Sequence, residues 1–322
     1  MVQVSHRIAI GSTVLSGNKT RLLDLRTAAS LTVPVNVCRL VLSPPDDLSL
    51  APQDPIEVEL GYEADRSLVF TGLVSTVDWQ IDRVTVYGMS AFQALVQNRF
   101  NLLYEKSKAG DMVSDVVGRL GLSPGAIANG LEFPVYVLGD NQSVYDHLQT
   151  LAQQCGFDLY ANPEDQVVFE AYQPRETHEF QYGVNILSLK TADPAPAIAG
   201  VEIYGESPTS LGQGPDAYAW LTKQAVQGTA GDPSGVVQRF IDPTVRTLET
   251  AGQVATALLE KVVQKQRGEL RVLGNPLLKL GDAIHIADMP LEVQNGTFKI
   301  TQVEHILNPR QGFYTVMGWE EA

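Results

Sequence analysis

The sequence has few of the residues on which most enzymes and secreted domains depend. Its two cysteines, Cys38 and Cys155, stand far apart among apolar residues, so we expect buried free thiols and no disulfide framework. No apolar run approaches the ~18 residues that a membrane-spanning helix needs. Aromatic residues make up only 7% of the chain, and Trp79, Trp220 and Trp319 are scattered, which argues against an exposed aromatic cluster for binding carbohydrate.

Catalytic and cofactor-binding motifs are also missing. The chain has no G-x-S-x-G, no Walker A loop, no H-E-x-x-H and no dinucleotide-binding glycine pattern after a predicted strand. Among five histidines, His178 could bind a metal with Glu176 and Glu179, but a strand histidine without a ligand is the simpler interpretation. We therefore predict a protein that is not an enzyme and has no catalytic, cofactor-binding or metal-binding residues.

Basic residues are scarce relative to acidic ones. With 23 Lys and Arg against 37 Asp and Glu, the formal net charge is −14, so we expect no sequence-specific binding of nucleic acid, because phosphate is repelled. Two interpretations of the acidity remain open: a surface that keeps the protein soluble, or an acidic channel that polyanions pass without sticking. The first residues lack the apolar core of a signal peptide, so we expect folding in the cytoplasm.

What the sequence does contain is a series of short β-type segments. Over residues 1–95 they include Leu31–Val37, Ile56–Leu60 and Val84–Gly88. Apolar and polar residues alternate in them, which predicts strands with one buried and one polar face. We interpret this region as a first antiparallel β-domain.

Residues 96–182 change character and predict a small α+β domain. One helix begins at Asp111 and stops at Gly121, and a second follows Asn141 and stops at Gly156. Two β-type segments then follow as a hairpin.

Residues 183–235 predict connecting strands and then a long loop. The stretch from Glu206 to about Gly235 is rich in glycine, proline and serine. Long loops of this kind are often contact elements.

Residues 236–322 predict a long amphipathic helix followed by a second β-domain. Apolar residues recur with a period of 3.6 over Glu249–Arg267, with basic residues toward the helix end. Farther on, Asn295-Gly296 is a strong hairpin-turn signal, because both residues tolerate positive φ.

The two ends of the chain contain similar segments in the same order. Ile56–Val58, Phe70–Asp78 and Val84–Gly88 correspond to Ala283–Ile286, Gly296–Glu304 and Tyr314–Gly318. The glycines that we predict to be structural positions of this repeat are Gly72, Gly88, Gly281, Gly296 and Gly318. Coincidence among ordinary antiparallel strands is the alternative. A real repeat would allow three chains to present six similar domains.

Several segments, taken in order, resemble the late control D family of phage proteins, which form the central hub of a baseplate. The segments are Val69–Val74, Val84–Gly88, Met89–Leu95, Lys108–Val116, Gln142–Ala152, Gly156–Tyr160, Leu280–Asp282, Asn295–Phe298, Val303–His305 and Phe313–Thr315. The hub half of type VI secretion spike proteins (the valine-glycine repeat proteins) and of contractile injection systems has the same architecture.

The resemblance implies a mainly β fold in which two tube-like antiparallel β-barrel domains accompany a small α+β insert and one long amphipathic helix. It implies a virion structural protein of the phage tail, a homotrimer that acts as the symmetry adaptor between the hexameric tail tube and the three-fold spike. Other baseplate proteins would surround the ring, and DNA or cargo would pass through it. It implies assembly in the bacterial cytoplasm and a final location in the baseplate.

Since the sequence ends at Ala322, directly after the predicted second barrel, we expect the spike to be a separate protein. Two other functions remain open at this point. The chain could be a cell-wall hydrolase carried on a tail, or a carbohydrate-binding β module.

Overall fold

The chain is mainly β, as the sequence predicts. A computed structural model describes residues 3–16, 22–43, 50–194, 198–205, 226–263 and 265–321. This part of the chain contains 21 strands and four α-helices. Within these residues, no helix combines the length and the apolar character that crossing a membrane requires.

Seven strands precede the insert, and their buried faces follow the predicted alternation: Ile56, Val58 and Leu60 are fully buried while the residues between them are exposed or half-buried. The strands are β1 (Val4–Ile10), β2 (Thr13–Ser16), β3 (Leu22–Ser30), β4 (Val37–Leu42), β5 (Pro55–Tyr62), β6 (Asp65–Trp79) and β7 (Val84–Met89).

The insert contains three helices and five strands. They are α1 (Gln93–Gln97), β8 (Leu102–Lys108), α2 (Ala109–Arg119), β9 (Ser123–Ile127), β10 (Glu132–Leu138), α3 (Val144–Cys155), β11 (Phe157–Ala161) and β12 (Gln166–Ala171). Helix α3 shows why its bounds are predictable. Ser143 Oγ accepts from the Asp146 N–H at 3.2 Å, and the Asp146 carboxylate accepts from the Ser143 N–H at 3.1 Å. Gly156 ends the helix with φ of 70°.

The remaining elements complete the fold. They are β13 (Thr177–Gln181), β14 (Ile186–Ala192), β15 (Gly200–Gly205), β16 (Gln227–Gly231), β17 (Val237–Asp242), α4 (Leu248–Val262), β18 (Arg267–Leu273), β19 (Ala283–Ala287), β20 (Gly296–Asn308) and β21 (Gly312–Glu321).

One sheet of 13 strands contains both ends of the chain. Its order is β14-β18-β21-β20-β3-β4-β7-β6-β5-β1-β2, and β19 pairs with β20 and with β13 beside this path. Over the described strands this path has free ends and does not close on itself. Three small sheets, β8-β10, β9-β12-β11 and β16-β15-β17, belong to the insert and to the region around α4.

Each end of the large sheet has its own apolar core. Phe70 and Val86 lie in the N-terminal core, and Ile300 and Trp319 lie in the C-terminal core. Burial of each such side chain contributes about 1.5–3 kcal/mol. The insert has a third core under α2 and α3, and α4 buries its apolar face on the β16-β15-β17 sheet. Two separate cores in one sheet mean that the junction between them decides how the two ends are oriented.

The predicted strand Leu31–Val37 is wrong. Strand β3 ends at Ser30, residues 31–35 form bends, and β4 begins at Val37. Ser30 Oγ accepts from the Thr32 N–H at 3.1 Å, so a side chain takes an amide that a ladder would use. Pro34 has no N–H to donate.

The predicted end of the long helix is also wrong. Helix α4 ends at Val262 rather than Arg267, and Val263 is extended, with φ of −62° and ψ of 120°. Residues 267–273 instead form β18, which pairs with β14 on one side and with β21 on the other. Hydrogen bonding to two neighbouring strands outweighs the helical preference of this segment, whose apolar periodicity ends after Val263.

The predicted long loop is partly a strand. Residues 206–225 lie outside the described part of the chain, but β16 occupies Gln227–Gly231. A β-carbon at Gly228 would collide with the backbone of Ala251 in α4. The glycine that suggested a loop therefore allows a strand and a helix to approach closely.

Asn295-Gly296 does not form the predicted two-residue hairpin turn. The connection between β19 and β20 is longer and contains a 3₁₀ helix over Glu292–Gln294. Asn295 has φ of −86°, and its Oδ1 accepts from the Met289 N–H at 2.8 Å. The asparagine thus closes a longer loop through its side chain.

The Gly268→Ala substitution should lower the free energy of unfolding by about 1–3 kcal/mol. A β-carbon there would collide with the Lys190 carbonyl oxygen and lie 2.6 Å from Cε2 of Trp319. The matched control is Gly252→Ala in α4, where an added β-carbon meets nothing within 4 Å and should stabilise the protein by about 0.5–1 kcal/mol. Urea denaturation of both variants measures the difference, and equal effects would contradict the packing.

Stability should fall as the pH falls from 6.5 toward 4, in part because of His305. Burial lowers the pKa of His305 to about 4, whereas the unfolded chain titrates near 6.5. Between these values the unfolded state binds the extra proton, so each pH unit removes about 1.4 kcal/mol. Denaturation at several pH values should show a shallower slope for His305→Gln than for the wild type, and an unchanged slope would contradict the assignment.

Candidate functional site: the free edges of a repeated sheet

The large sheet contains the same six-strand arrangement twice. The N-terminal half has the order β3-β4-β7-β6-β5-β1, and the C-terminal half has the order β14-β18-β21-β20-β19-β13. Corresponding strands also follow one another in the same order along the chain. They differ in one direction: β1 is antiparallel to β5, whereas β13 is parallel to β19. Strands β13 and β14, which precede residue 193, therefore belong to the C-terminal half.

The two halves agree residue by residue in register. Ile56 pairs with Gly72 in the first half as Ile284 pairs with Phe298 in the second. Just beyond this pair, the Val74 N–H donates to the Asp54 carbonyl at 2.9 Å, and the Ile300 N–H donates to the Asp282 carbonyl at 3.1 Å. Generic antiparallel strands have no reason to share both features.

Two irregularities of the ladders coincide in the two halves, although the skipped Val69 of the β5–β6 ladder has no counterpart between β19 and β20. The β6–β7 ladder skips Ser75, and the β20–β21 ladder skips Thr301. Likewise, the β3–β4 ladder skips Leu23, and the β14–β18 ladder skips Leu187. Each matched pair occupies the same place in its half. Because a bulge fixes local twist and strand direction, the two halves bend alike.

The matched registers reveal a sequence similarity between β3 and β14. Leu25-Arg26-Thr27-Ala28 in β3 aligns with Leu189-Lys190-Thr191-Ala192 in β14. Four residues separated by 164 positions carry too little information to be noticed without the pairing pattern.

Among the described strands, a single ladder joins the two halves. Residues Gln302–Leu307 of β20 pair with Leu25–Ser30 of β3. The side chains of Arg26 and Glu304 form an ion pair across this ladder. His305 lies in the ladder with 4% exposure, and its Nδ1 is 3.1 Å from Thr315 Oγ1. We call this ladder the internal joint.

The equivalent edges on the other side of each half are free. Strand β14 pairs only with β18, so the edge that corresponds to the joint edge of β3 has no partner among the described residues. After Val74, β6 pairs with β7 alone among the strands that the structure describes, so its end presents the edge that β20 uses in the joint. Trp79 is 56% exposed there, and Ile81 is fully exposed. Unpaired strand edges with exposed apolar side chains are places where another chain adds.

The predicted repeat glycines are distributed over both halves. Gly72, Gly88, Gly296 and Gly318 lie in strands, and Gly281 precedes β19. A β-carbon at Gly72 would collide with the Met89 carbonyl oxygen, and Gly281 has φ of 89° with Tyr160 Oη 2.6 Å from an added β-carbon. Gly88 and Gly318 correspond in order but differ by one position relative to the bulge.

The structure also brings together Glu176, His178 and Asp282, whose ligand atoms all lie within 4.8 Å of one another. His178 Nε2 is 3.0 Å from Asp282 Oδ2, and Asp282 is fully buried. Arg175 lies nearby, and its pKa is raised by its hydrogen bond to Glu170 and by the charge of Asp282. The contact between His178 and Asp282 links β13 to the residue before β19, while Asp282 Oδ1 is buried without a hydrogen-bond partner among the described residues. The same three groups could also hold a divalent cation.

The sequence indicated only part of this cluster. Glu176 and His178 are two residues apart and share a face at the start of β13, whereas Glu179 alternates to the other face. Asp282 is more than 100 residues away, and only the parallel β13–β19 pairing reveals it.

Neither cysteine is suited to nucleophilic chemistry. Cys38 is buried, as predicted, and its burial raises the pKa of its thiol well above the usual range. Cys155 is half-buried, and burial raises the pKa of its thiol to about 11. Of the tryptophans, Trp79 is exposed, Trp319 is buried, and Trp220 lies outside the described residues.

No family model matches the chain, and no curated protein does. Solved structures do share its fold. The 43 kDa tail protein of prophage MuSo2 from Shewanella oneidensis superimposes with a TM-score of 0.75 at 14% identity, covering 99% of this chain and 98% of that one. A tail protein from Neisseria meningitidis gives 0.72 at 14% identity, covering 99% and 96%.

A third match is a component of the type VI secretion system of E. coli, described as similar in structure to the tail proteins gp27 and gp5 of bacteriophage T4. Its TM-score is 0.63 at 11% identity, covering 98% of this chain and 76% of the other. Over almost its whole length, the chain therefore has the fold of phage tail proteins and of a type VI secretion component.

Proposed function

We propose that this chain is a structural hub of a contractile tail or injection-particle baseplate, a homotrimer that adapts a six-fold tail tube to a three-fold spike. The observation that carries the proposal is the repeat of six strands within one chain, with equal registers and equal bulges. Three chains supply six equivalent units, which is the number that a six-fold ring requires. The shared fold with two tail proteins supports the same role.

In this assembly each half contributes a tube-like β-barrel domain. Residues 1–95 form the first, and residues 236–322 with β13 and β14 form the second. The α+β domain at 96–182 and the connecting segment at 183–235 lie between them in the chain. The proposed partners are a second and third copy, the hexameric tail tube protein, a spike protein and other baseplate proteins.

The chemistry of the chain suits this role. Strand edges bind through backbone N–H and C=O groups, so no catalytic residue is needed and the protein is not an enzyme. The net charge of −14 repels phosphate, so DNA or an acidic cargo could pass through the ring without being retained. We place the protein in the baseplate, after assembly in the bacterial cytoplasm.

The purified protein at tens of micromolar should have a mass close to three times the 35.0 kDa of one chain. Light scattering coupled to size-exclusion chromatography measures this mass. A trimeric ring can require contact with the tail tube before it closes, so the mass is also measured with the tail tube protein present. A mass of one chain under both conditions would contradict the trimeric hub.

The protein should bind the end of the tail tube with three hub chains for each ring of six tube chains. Electron microscopy of tubes mixed with the protein should show density at one tip, and native mass spectrometry should give the ratio. Binding along the tube wall, or a ratio of one to one, would argue for a different tail role.

A further inference from the structure

We propose that β14 of one copy pairs with the end of β6 of the next copy, in the same register in which β3 pairs with β20 inside the chain. The number of copies in the ring rests on the proposed function. The pairing itself rests on the internal repeat, because β14 is the equivalent of β3 and β6 is the equivalent of β20.

The register follows from two alignments fixed by hydrogen bonds. Thr301 corresponds to Ser75 as the skipped residue of the long strand, so Glu304 corresponds to Asp78. Leu187 corresponds to Leu23 in the edge strand, so Ala28 corresponds to Ala192. Glu304 faces Ala28 in the internal joint. Asp78 of one copy should therefore face Ala192 of the next.

The charges at the two edges are complementary in the same sense as in the internal joint. There, Arg26 of β3 pairs with Glu304 of β20. The equivalent residues are Lys190 in β14 and Asp78 in β6, so the sign of each charge is kept. Lys190 is 78% exposed in its side chain and lies 3.2 Å from Glu269, which leaves it able to reach across a new ladder.

The burial pattern points to the same contact. His305 and Ile306 in the internal joint are 4% and 8% exposed, and both lie in the part of β20 that pairs with β3. Trp79, the equivalent of His305, is 56% exposed, and Ile81 near it is fully exposed. In the proposed register Trp79 faces Thr191 and Ile81 faces Leu189. Pairing would cover apolar surface that a single copy leaves in water.

The occupant of each free edge is a second copy rather than an unrelated strand, because one chain carries both complementary edges. A contact that uses β14 of one copy and β6 of the next is head-to-tail. Repeated from copy to copy, this contact builds a ring. The ring closes when a whole number of equal rotations, one for each half, adds up to a full turn. The internal joint supplies the same rotation within each chain, so every junction of the ring is equivalent.

Cysteine cross-linking between separate chains tests the register. Asp78→Cys and Ala192→Cys chains are produced together with different affinity tags, so that a link must join two molecules. Directly opposed β-carbons in a sheet are about 5 Å apart, which a mild oxidant or a short bismaleimide can bridge. We expect most of the mixed pairs to be joined.

The matched control is Asp78→Cys with Ser188→Cys, which moves one cysteine four residues along β14, about 13 Å away. It should cross-link at least about tenfold less, since that span exceeds a disulfide's reach. Wild-type chains with only Cys38 and Cys155, and each single variant alone, should not be joined, because both native thiols are buried or half-buried.

A charge swap tests the same pairing of β6 with β14 independently, without cysteine chemistry. Asp78→Lys alone and Lys190→Asp alone should each weaken self-association by about fivefold, as expected for a cross-strand ion pair turned repulsive. The double variant should recover to within about twofold of the wild type. Sedimentation equilibrium measures all four proteins, and additive weakening in the double variant would overturn the pairing of these two residues.

The outcomes separate the register from the proposed function. A three-chain mass without cross-linking at Asp78 and Ala192 would overturn the register and leave the trimeric hub standing. Cross-linking in this register with a mass other than three chains would support the pairing and overturn the three-fold ring. Chains that neither associate nor cross-link at high concentration, with tube protein present, would overturn the pairing.

Discussion

The continuity of the large sheet depends on the six-residue ladder between β3 and β20. Each half of the large sheet has its own core, and the chain that connects the halves runs through the insert, so this ladder alone joins them within the sheet. Its backbone hydrogen bonds fix the register, and the buried His305 and the Arg26–Glu304 ion pair leave little freedom to slide. A shift by one residue would turn these side chains to the opposite face. The register between the two halves is therefore fixed by this ladder, and the packing of Phe313 against Tyr62 and the hydrogen bond from Tyr62 Oη to the Gly274 carbonyl oxygen also hold the halves together.

The role of this ladder explains why motif searches say so little about the protein. A strand edge binds through groups that every residue carries, so its partner is encoded in register, bulges and a few charges. These features leave weak traces in sequence, and proteins that share the fold have as little as 14% of their residues in common with this chain.

Local signals predicted much of the fold. The alternation in β5, the glycine that ends α3 and the hairpin of β11 and β12 each depend on residues close in sequence, and they appear where the sequence places them. The errors arose where contacts with residues distant in sequence determine the secondary structure. Arg267 continues the predicted helical pattern, but it lies in β18, which pairs with a strand on each side. Gly228 resembles a loop residue, but it lies in a strand that packs against the α4 backbone.

The candidate site was predictable only in outline. The order of three strands in the repeat was predictable from the sequence. The glycines Gly88 and Gly318, however, suggested an alignment of β7 with β21 that differs by one position from the alignment given by the strand pairing. The match of β3 with β14 required the ladders, because it consists of four residues. Likewise, Asp282 could not be joined to His178 without the parallel pairing of β13 and β19. The sequence alone does not show which strands that are distant in the chain pair with one another.

The shared bulges at Ser75 and Thr301 have an evolutionary consequence. An insertion in a strand is hard to acquire twice at one place, and one ancestral gene segment copied and fused in tandem would leave it in both halves. The ancestor, as a lone unit, would have carried both complementary borders and could have closed into a circle of six identical subunits. Fusion of two such units would let every second unit diverge from its neighbour. In the ring proposed above, one rim would then keep six-fold contacts while the alternating units on the other rim suit a three-fold partner.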